Sequence, residues 1–271
     1  MPLEKKFRLP KEIPMEEYPR PEVFLEEARR LIEGAQKQGI ILRVMGPIAL
    51  HLYFPQYVPL YQRMERLGER VFTDIDYASY GKYRGKIVPF FQSFGYEIEK
   101  RAAMISGNTR HIYFGGAVPM VDVFFDALSY NHPISFKDRL ECHSQCISLA
   151  DLLLQKLQIV QINDKDLKDA MLLLLAATLG EDDHDAINCR YIAKRMSDDW
   201  GFYYTATTNL KKIKDATASV AALDDQQRAI ICDKADQVIQ RIEVAPKTGN
   251  WQRRAKVGTA KPWYNLVEDW G

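Results

Sequence analysis

The sequence predicts an α/β fold in which a head with a mixed sheet is followed by a helical C-terminal domain. In the first half of the chain, strand and helix patterns alternate and then give way to consecutive strands, as in an α/β unit that continues into antiparallel strands. After about residue 147, the apolar spacing is mainly helical. The 271 residues are enough for two domains of ordinary size.

The head begins with alternating helices and strands. Apolar spacing predicts a helix from Pro21 that ends near Gly39, because glycine suits a C-terminal cap. Residues 40–45 form a β-branched and apolar run typical of a buried strand. The patterns then predict a helix over 48–53 and a linker that contains Arg66. After the linker they predict a strand over 71–78 and a helix over 83–94.

Three more strands are expected in the head, over 96–102, 110–114 and 119–125. Ser106-Gly107-Asn108 separates the first two and favours a hairpin turn. Consecutive strands after an alternating unit predict a sheet with both parallel and antiparallel neighbours.

The helical domain begins at a capping sequence. Ser148-Leu149-Ala150-Asp151 is similar to a capping box and begins a helix, and Asn163 caps the next helix, over 165–179. The chain is therefore expected to contain an extended arm over 1–21, an α/β domain over 22–146, a helical domain over 147–244 and an irregular basic and aromatic tail over 245–271.

Composition excludes several classes of protein. The net charge of +1 argues against a wholly basic nucleic-acid binder, and 46% hydrophobic with 27% charged residues is ordinary for a globular protein. The first 20 residues lack the apolar segment of a secretory signal, and no apolar run is long enough to span a membrane. Four scattered cysteines do not form a disulfide framework. We expect a cytoplasmic protein that does not associate with membranes.

Three aspartates on two predicted strands form the candidate site. Strand alternation places Asp74 and Asp76 on one face, and it places Asp122 and Asp126 together on a later strand. Two carboxylates about 4 Å apart repel by about 4 kcal/mol at an effective dielectric near 20. Such a cluster therefore needs a cation or a proton. Oxygen ligands favour Mg²⁺ or Mn²⁺ over zinc, and a two-metal carboxylate site suits in-line displacement at phosphorus.

A turn upstream of these strands supplies a second ingredient. Gly46 allows the backbone to come close to a ligand, and the helix after Pro47 offers its N-terminal N–H groups to phosphate. Carboxylates for a metal and a helix terminus for a triphosphate would together make a nucleotide site.

These motifs resemble the nucleotidyltransferases of the DNA polymerase beta-like superfamily. The family pattern is a hydrophobic-Gly-(Gly/Ser) turn that enters a helix, then D-h-D-h on the next strand and h-D-h on a later one, where h is hydrophobic. Residues 44–47 (Val-Met-Gly-Pro), 74–77 (Asp-Ile-Asp-Tyr) and 121–123 (Val-Asp-Val) match it. The resemblance implies that Asp74 and Asp76, with Asp122, are the catalytic and metal-binding acids, with Mg²⁺ or Mn²⁺ as cofactor and an NTP as substrate.

Within the superfamily, the chain is most similar to the AbiEii-type toxins of abortive-infection systems. In that branch, a helix with a lysine precedes another that carries Lys-Asp-x-x-Asp, and Lys156 and residues 165–169 match this pattern. The resemblance implies that Lys156 contacts the nucleotide phosphates and that Asp166 or Asp169 organises the site. It covers roughly residues 40–175. Pro47 departs from the pattern, because it stands where the family has glycine or serine and supplies neither an N–H nor a hydroxyl.

Two functions remain open from the sequence. The first is Mg²⁺-dependent transfer of a nucleoside monophosphate to a hydroxyl of an RNA such as tRNA, of a protein or of a small molecule. The second is a non-catalytic nucleotide- or partner-binding module of the same fold, which Pro47 favours. The pattern does not indicate the oligomeric state.

Several of these residues also have simpler interpretations. Lys156 taken alone is typical of a solvated helix charge, and Asp166 and Asp169 suit the first turns of a helix because they complement its dipole. Basic residues around Trp251 and Trp263 could pair and stack with RNA, or the tail could dock on the protein's own surface.

Overall fold

The computed structural model describes residues 7–68 and 70–267, which divide into two compact units. The first unit consists of the described residues of Met1–Tyr53, Leu67–Leu128 and Ser135–Ile147. The second consists of Phe54–Arg66, Ser129–Ile134 and the described part of Ser148–Gly271. Of the expected arm and tail, residues 1–6 and 268–271 lie outside the described residues.

Helices and strands alternate in the first part of the chain, and helices dominate the rest. The helices are α1 (Pro21–Lys37), α2 (Gly46–Tyr53), α3 (Val58–Arg63), α4 (Arg84–Ser93), α5 (Lys100–Ser106), α6 (Leu149–Leu157), α7 (Asp164–Ala176), α8 (Cys189–Asp198), α9 (Trp200–Ala216), α10 (Asp225–Val244) and α11 (Gly249–Val257). The strands are β1 (Leu42–Val44), β2 (Ile75–Ser79), β3 (Glu97–Ile98), β4 (Arg110–Phe114), β5 (Val121–Phe125), β6 (Ala127–Leu128), β7 (Ile134–Ser135), β8 (Thr178–Gly180) and β9 (Ala186–Asn188). The predicted fold class is confirmed.

A mixed sheet organises the first unit, with the strand order β1-β2-β5-β4-β3. Strands β2 and β5 run parallel, and the other neighbouring pairs run antiparallel. The pairing places Asp76 beside Asp122 and Arg110 beside Phe124. The mixed sheet expected from the order of the elements is confirmed.

Helices bury one face of this sheet. Tyr77 of β2 is fully buried, and its hydroxyl donates to the carbonyl oxygen of Ala28 in α1 at 3.3 Å. The ring of Tyr77 also packs against Phe91 of α4, with 6.4 Å between ring centroids. Because side chains alternate across a strand, Asp76 and Asp122 point to the opposite face.

The strand predicted over 96–102 is mostly wrong. Only Glu97–Ile98 is extended, because the Glu99 carboxylate accepts the N–H of Ala102 and caps α5. Helix α5 therefore runs up to Gly107 where a simple hairpin was expected, although β3 and β4 still pair antiparallel. The expected linker likewise contains α3.

Helices make up most of the second unit, and two predicted caps begin them. Ser148 Oγ accepts the N–H of Asp151 at 3.1 Å, and Asn163 Oδ1 accepts the N–H of Asp166 at 3.1 Å. Helix α10 packs against α7, α8 and α9, and its Ile242 is fully buried. Within the described ranges, no helix has the length and apolar character needed to cross a membrane.

The tail expected to be irregular over 245–271 contains helix α11. Thr248 Oγ1 caps this helix by accepting the N–H of Trp251 at 3.2 Å. Farther on, the indole N–H of Trp263 donates to Thr205 Oγ1 of α9 at 3.2 Å. The tail therefore docks on the second unit through at least this aromatic side chain, as one of the two sequence interpretations expected.

Candidate functional site

Three aspartates lie together on the polar face of the sheet in the first unit. Asp74 directly precedes β2, Asp76 lies within β2, and Asp122 occupies the paired position of β5. One carboxylate oxygen from each lies within 4.8 Å of the other two. The convergence predicted from the strand faces is confirmed.

Asp122 is the buried member of this cluster, because its side chain is almost fully removed from solvent. The Arg110 guanidinium donates through Nη2 to Asp122 Oδ2. The other oxygen, Oδ1, is buried and has no hydrogen-bond partner in the part of the chain that the structure describes. Burial, with a contribution from Asp74, raises the pKa of Asp122 to about 6, although Arg110 acts to lower it.

Asp74 and Asp76 form the open side of the cluster. Both are half-buried, and the Thr73 hydroxyl donates to Asp74 Oδ1 at 3.0 Å. The backbone carbonyl of Asp76 accepts the N–H of Met45 at 2.8 Å, which joins the end of β1 to β2. A charged ligand can therefore approach these two acids while Asp122 stays shielded from water.

Gly46 brings the start of α2 against the cluster. Its φ is +63°, a left-handed conformation that glycine adopts without strain. A Cβ at this position would lie 3.3 Å from Asp76 Oδ2, which is tighter than ordinary contact. Pro47 follows as the second residue of α2, and its carbonyl oxygen lies 2.9 Å from His51 Nδ1. The helix N-terminus thus lies beside the acids with no intervening side chain at Gly46.

The donor set fits a divalent cation that prefers oxygen. Asp122 pairs with the Arg110 guanidinium, and the three carboxylates lie close enough to repel one another when all three are ionised. An unsatisfied buried polar atom such as Asp122 Oδ1 costs about 1–3 kcal/mol, and a cation at the cluster would satisfy it. Carboxylate ligands without nitrogen or sulfur suit Mg²⁺ or Mn²⁺.

Lys156, Asp166 and Asp169 form an ionic cluster within the second unit. Lys156 Nζ lies 2.7 Å from Asp166 Oδ1 and 2.8 Å from Asp169 Oδ2. Arg66 binds both oxygens of Asp169, with Nε at 2.6 Å and Nη2 at 3.0 Å, and the Tyr61 hydroxyl donates to Oδ1 at 2.6 Å. Asp169 is fully buried, and its contacts join α6, α7 and the segment of Arg66 inside this unit.

Both Lys156 and Asp169 are charged in this setting. Although burial opposes it, Asp169 and Asp166 raise the pKa of Lys156 above its ordinary value. Although burial acts in the opposite direction, Lys156 and Arg66 hold the pKa of Asp169 below its ordinary value. Lys156 is therefore not the solvated helix charge of the simpler interpretation. The nucleotide-binding roles that the resemblance implies for Lys156, Asp166 and Asp169 stay predictions.

The sequence patterns missed Arg110 and placed Asp126 together with Asp122. Arg110 comes next to Asp122 because it pairs with Phe124, two residues along β5 on the same face. Strand alternation in β4 was the available signal, but it identifies a face only after the neighbouring strand is known. The Asp126 carboxylate instead accepts the N–H of Gly81 at 2.9 Å and does not belong to the three-acid cluster.

Comparisons with known proteins add little to this description. No protein-family model matches the chain, and the search of curated proteins gives no match either. Among solved structures, the chain is similar to the antibiotic-resistance factor ANT(2'')-Ia, with 13% sequence identity and a TM-score of 0.36. That match covers 64% of this chain and 92% of the other. At such a TM-score the likeness carries no weight.

The buried ionic cluster predicts a large difference between two acids of α7. Asp169→Ala leaves Lys156 and Arg66 with too few carboxylates, and removing one partner of a buried ion pair costs about 3–5 kcal/mol. Asp164→Ala is the matched control, because the Asp164 side chain is 69% exposed and an ion pair open to water on one side, such as its pair with Lys168, is worth about 0–1 kcal/mol. Urea unfolding of both variants measures the difference. Equal losses of stability would contradict the assignment.

The three-acid cluster predicts that Mg²⁺ or Mn²⁺ stabilises the protein in a pH-dependent way. The pKa of Asp122 rises from 3.8 to about 6 on folding, so protonation of Asp122 stabilises the folded state relative to the unfolded state. Without a cation, this contribution is complete below about pH 4 and is lost as the pH rises through about 6. A cation needs the ionised carboxylate, and therefore its stabilisation should grow over the same interval. A cation at a concentration a hundredfold above its dissociation constant stabilises the folded protein by about 2.7 kcal/mol.

Thermal unfolding with and without the cation, at about pH 5 and about pH 7.5, measures this effect. Asp76→Asn should lose the cation-dependent shift. Asp126→Asn should keep it, because Asp126 lies outside the cluster and asparagine tolerates its positive φ of 62°. A shift of equal size in Asp76→Asn and the wild type would show that the cation binds elsewhere.

Proposed function

We propose that this chain is a Mg²⁺-dependent nucleotidyltransferase of the DNA polymerase beta-like superfamily. It would transfer a nucleoside monophosphate from an NTP to a hydroxyl acceptor and release pyrophosphate. The observation that carries the proposal is the cluster of Asp74, Asp76 and Asp122, with one buried oxygen unsatisfied, beside the glycine that begins α2. The finer placement among AbiEii-type toxins rests on the sequence resemblance.

Each residue of the first unit has a distinct role in this proposal. Asp74, Asp76 and Asp122 hold the cation, and Arg110 keeps Asp122 in one orientation. When bound, Mg²⁺ neutralises triphosphate charge and favours in-line displacement at phosphorus. The N–H groups in the first turn of α2 would attract the β- and γ-phosphates, since a helix N-terminus binds anions.

The resemblance also implies nucleotide-binding roles for three residues of the second unit. Lys156 would contact the nucleotide phosphates, and its carboxylate partners Asp166 and Asp169 would fix the position of its ammonium group. The acceptor would be an RNA such as tRNA, a protein or a small molecule, because none of the described contacts favours one of these over another.

The alternative is a non-catalytic nucleotide- or partner-binding module, and Pro47 is the observation that favours it. Proline offers no N–H and no hydroxyl at a position where the family pattern has a donor. In addition, the positive end of α2 stabilises the nearby acids to some extent without any ligand. This module would keep the fold and the acids but would not transfer a nucleotide.

Transfer activity is the direct test of the proposed function. Wild-type protein is incubated with each labelled NTP, Mg²⁺ and an extract of total RNA and protein, and the labelled species is identified. Loss of a metal-coordinating carboxylate removes stabilisation of the transition state, so we expect Asp76→Asn to lower labelling by about 10²-fold or more. Asp126→Asn controls for a general effect of losing an acid. No labelling of RNA, protein or small molecules by any NTP would favour the module.

The nucleotide affinity of Pro47→Ser distinguishes the enzyme hypothesis from the binding-module hypothesis. In the enzyme, serine would add a donor to phosphate, and a hydrogen bond to a charged group is worth about 1.5–3 kcal/mol. Replacing proline also loosens the unfolded chain and lowers stability by about 0.4–1 kcal/mol. Calorimetric titration with NTP and Mg²⁺ should therefore show tighter binding in a slightly less stable protein. Negligible binding in both proteins would count against the enzyme.

A further inference from the structure

The second unit contains a groove that no step of the proposed transfer uses. It lies between α8 and the C-terminal end of α10 and has a volume of about 800 Å³. Ala193 of α8 and Val244, Ala245 and Pro246 at the end of α10 give it an apolar lining. Val244 is 75% exposed, so its apolar side chain is accessible to a ligand.

Hydrogen bonds fix the shape of this groove. The N–H of Thr248, just beyond α10, donates to the carbonyl oxygen of Ser197 in α8 at 3.0 Å. The Lys247 ammonium donates to the carbonyl oxygen of Ala245 at 3.0 Å and to that of Ile242, which closes the end of α10. Since a main-chain bond joins the two walls and the Lys247 side chain holds the end of α10, the groove is formed without a ligand.

Two cations at the groove have no anionic partner among the described residues. Arg190 and Lys194 lie one turn apart on α8, and both are exposed. Among residues 7–68 and 70–267, no acidic group lies within ion-pair distance of either. Like charges four residues apart slightly destabilise a helix, so this pair does not serve the folding of α8. Arg241 across the groove is different, because Glu181 already neutralises it.

We propose that this groove binds an acidic segment of polypeptide that carries one apolar side chain. The apolar side chain would pack against Val244 and Ala193, and carboxylates beside it would pair with Arg190 and Lys194. An apolar centre with a charged rim is the usual anatomy of a protein interface, and rim charges select the partner.

Two further features restrict the occupant. Tyr191 is the aromatic residue among those that line the groove, whereas proteins that bind single-stranded nucleic acid usually present several stacking faces. Asp198, at the other end of α8, also lines the groove and would repel a carboxylate. The bound segment therefore carries its acids toward the Arg190 end and is neutral or basic toward Asp198.

Selection from a phage-displayed library of random peptides tests the proposal on the full chain. Peptides that are enriched on the wild type are synthesised with a fluorophore, and their affinity is measured by polarisation. The groove variants are Arg190→Glu with Lys194→Glu, and separately Val244→Asp. Lys211→Glu with Lys212→Glu on α9 is the matched control, because these lysines are also exposed and the change of charge is the same. Thermal unfolding verifies that each variant is folded.

The expected peptides carry an apolar residue beside Asp or Glu and lose about tenfold or more in affinity in both groove variants, with less than about a twofold change in the control. Absence of enrichment over an unrelated immobilised protein would overturn the proposal, as would enriched peptides that bind the groove variants normally. A third contrary result is binding of an oligouridylate of about 20 nucleotides that depends on Arg190 and Lys194 while no peptide binds. In that case the groove would be a nucleic-acid surface.

Discussion

The parallel pairing of β2 with β5 is the interaction on which the first unit's site depends. It sets Asp76 beside Asp122, with Asp74 next to them, and so concentrates negative charge on a partly buried surface. At an effective dielectric near 20, each close pair of charges repels by about 4 kcal/mol. Arg110 offsets part of this repulsion, and Tyr77, packed against α1 and α4 on the other face, keeps the strands in place. The folded core therefore maintains an arrangement of charges that would otherwise move apart.

Local periodicity explains why much of the first unit could be predicted. Strand alternation alone places Asp74 and Asp76 together, and the order of helices and strands indicates a mixed sheet. The prediction was wrong where a single side chain changed the local preference: Glu99 caps a helix in a segment whose pattern resembles a strand. The contact of Arg110 with Asp122 could not be predicted, because it depends on which strands become neighbours. That choice is made by the tertiary structure.

The ionic cluster of the second unit shows a similar limit. The resemblance identified Lys156 and Asp169 from their helices, but the partner Arg66 lies 103 positions before Asp169 in a segment with the pattern of a linker. Short-range patterns carry no information about such a contact. The same segment contributes Tyr61, so residues that join the helical unit come from inside the sequence of the head. The units of the structure are consequently not continuous in sequence, whereas composition and periodicity suggest continuous domains.

The acid within the otherwise apolar strand β5 also has a consequence for folding. A shift of β5 by one residue against β2 would turn its side chains to the opposite faces of the sheet. Asp122 would then enter the layer of Tyr77 and Phe91, and burying an unpaired carboxylate there costs several kcal/mol. The acid that completes the proposed metal site therefore also excludes the neighbouring strand registers. An apolar residue at this position would remove that discrimination and allow the sheet more than one pairing.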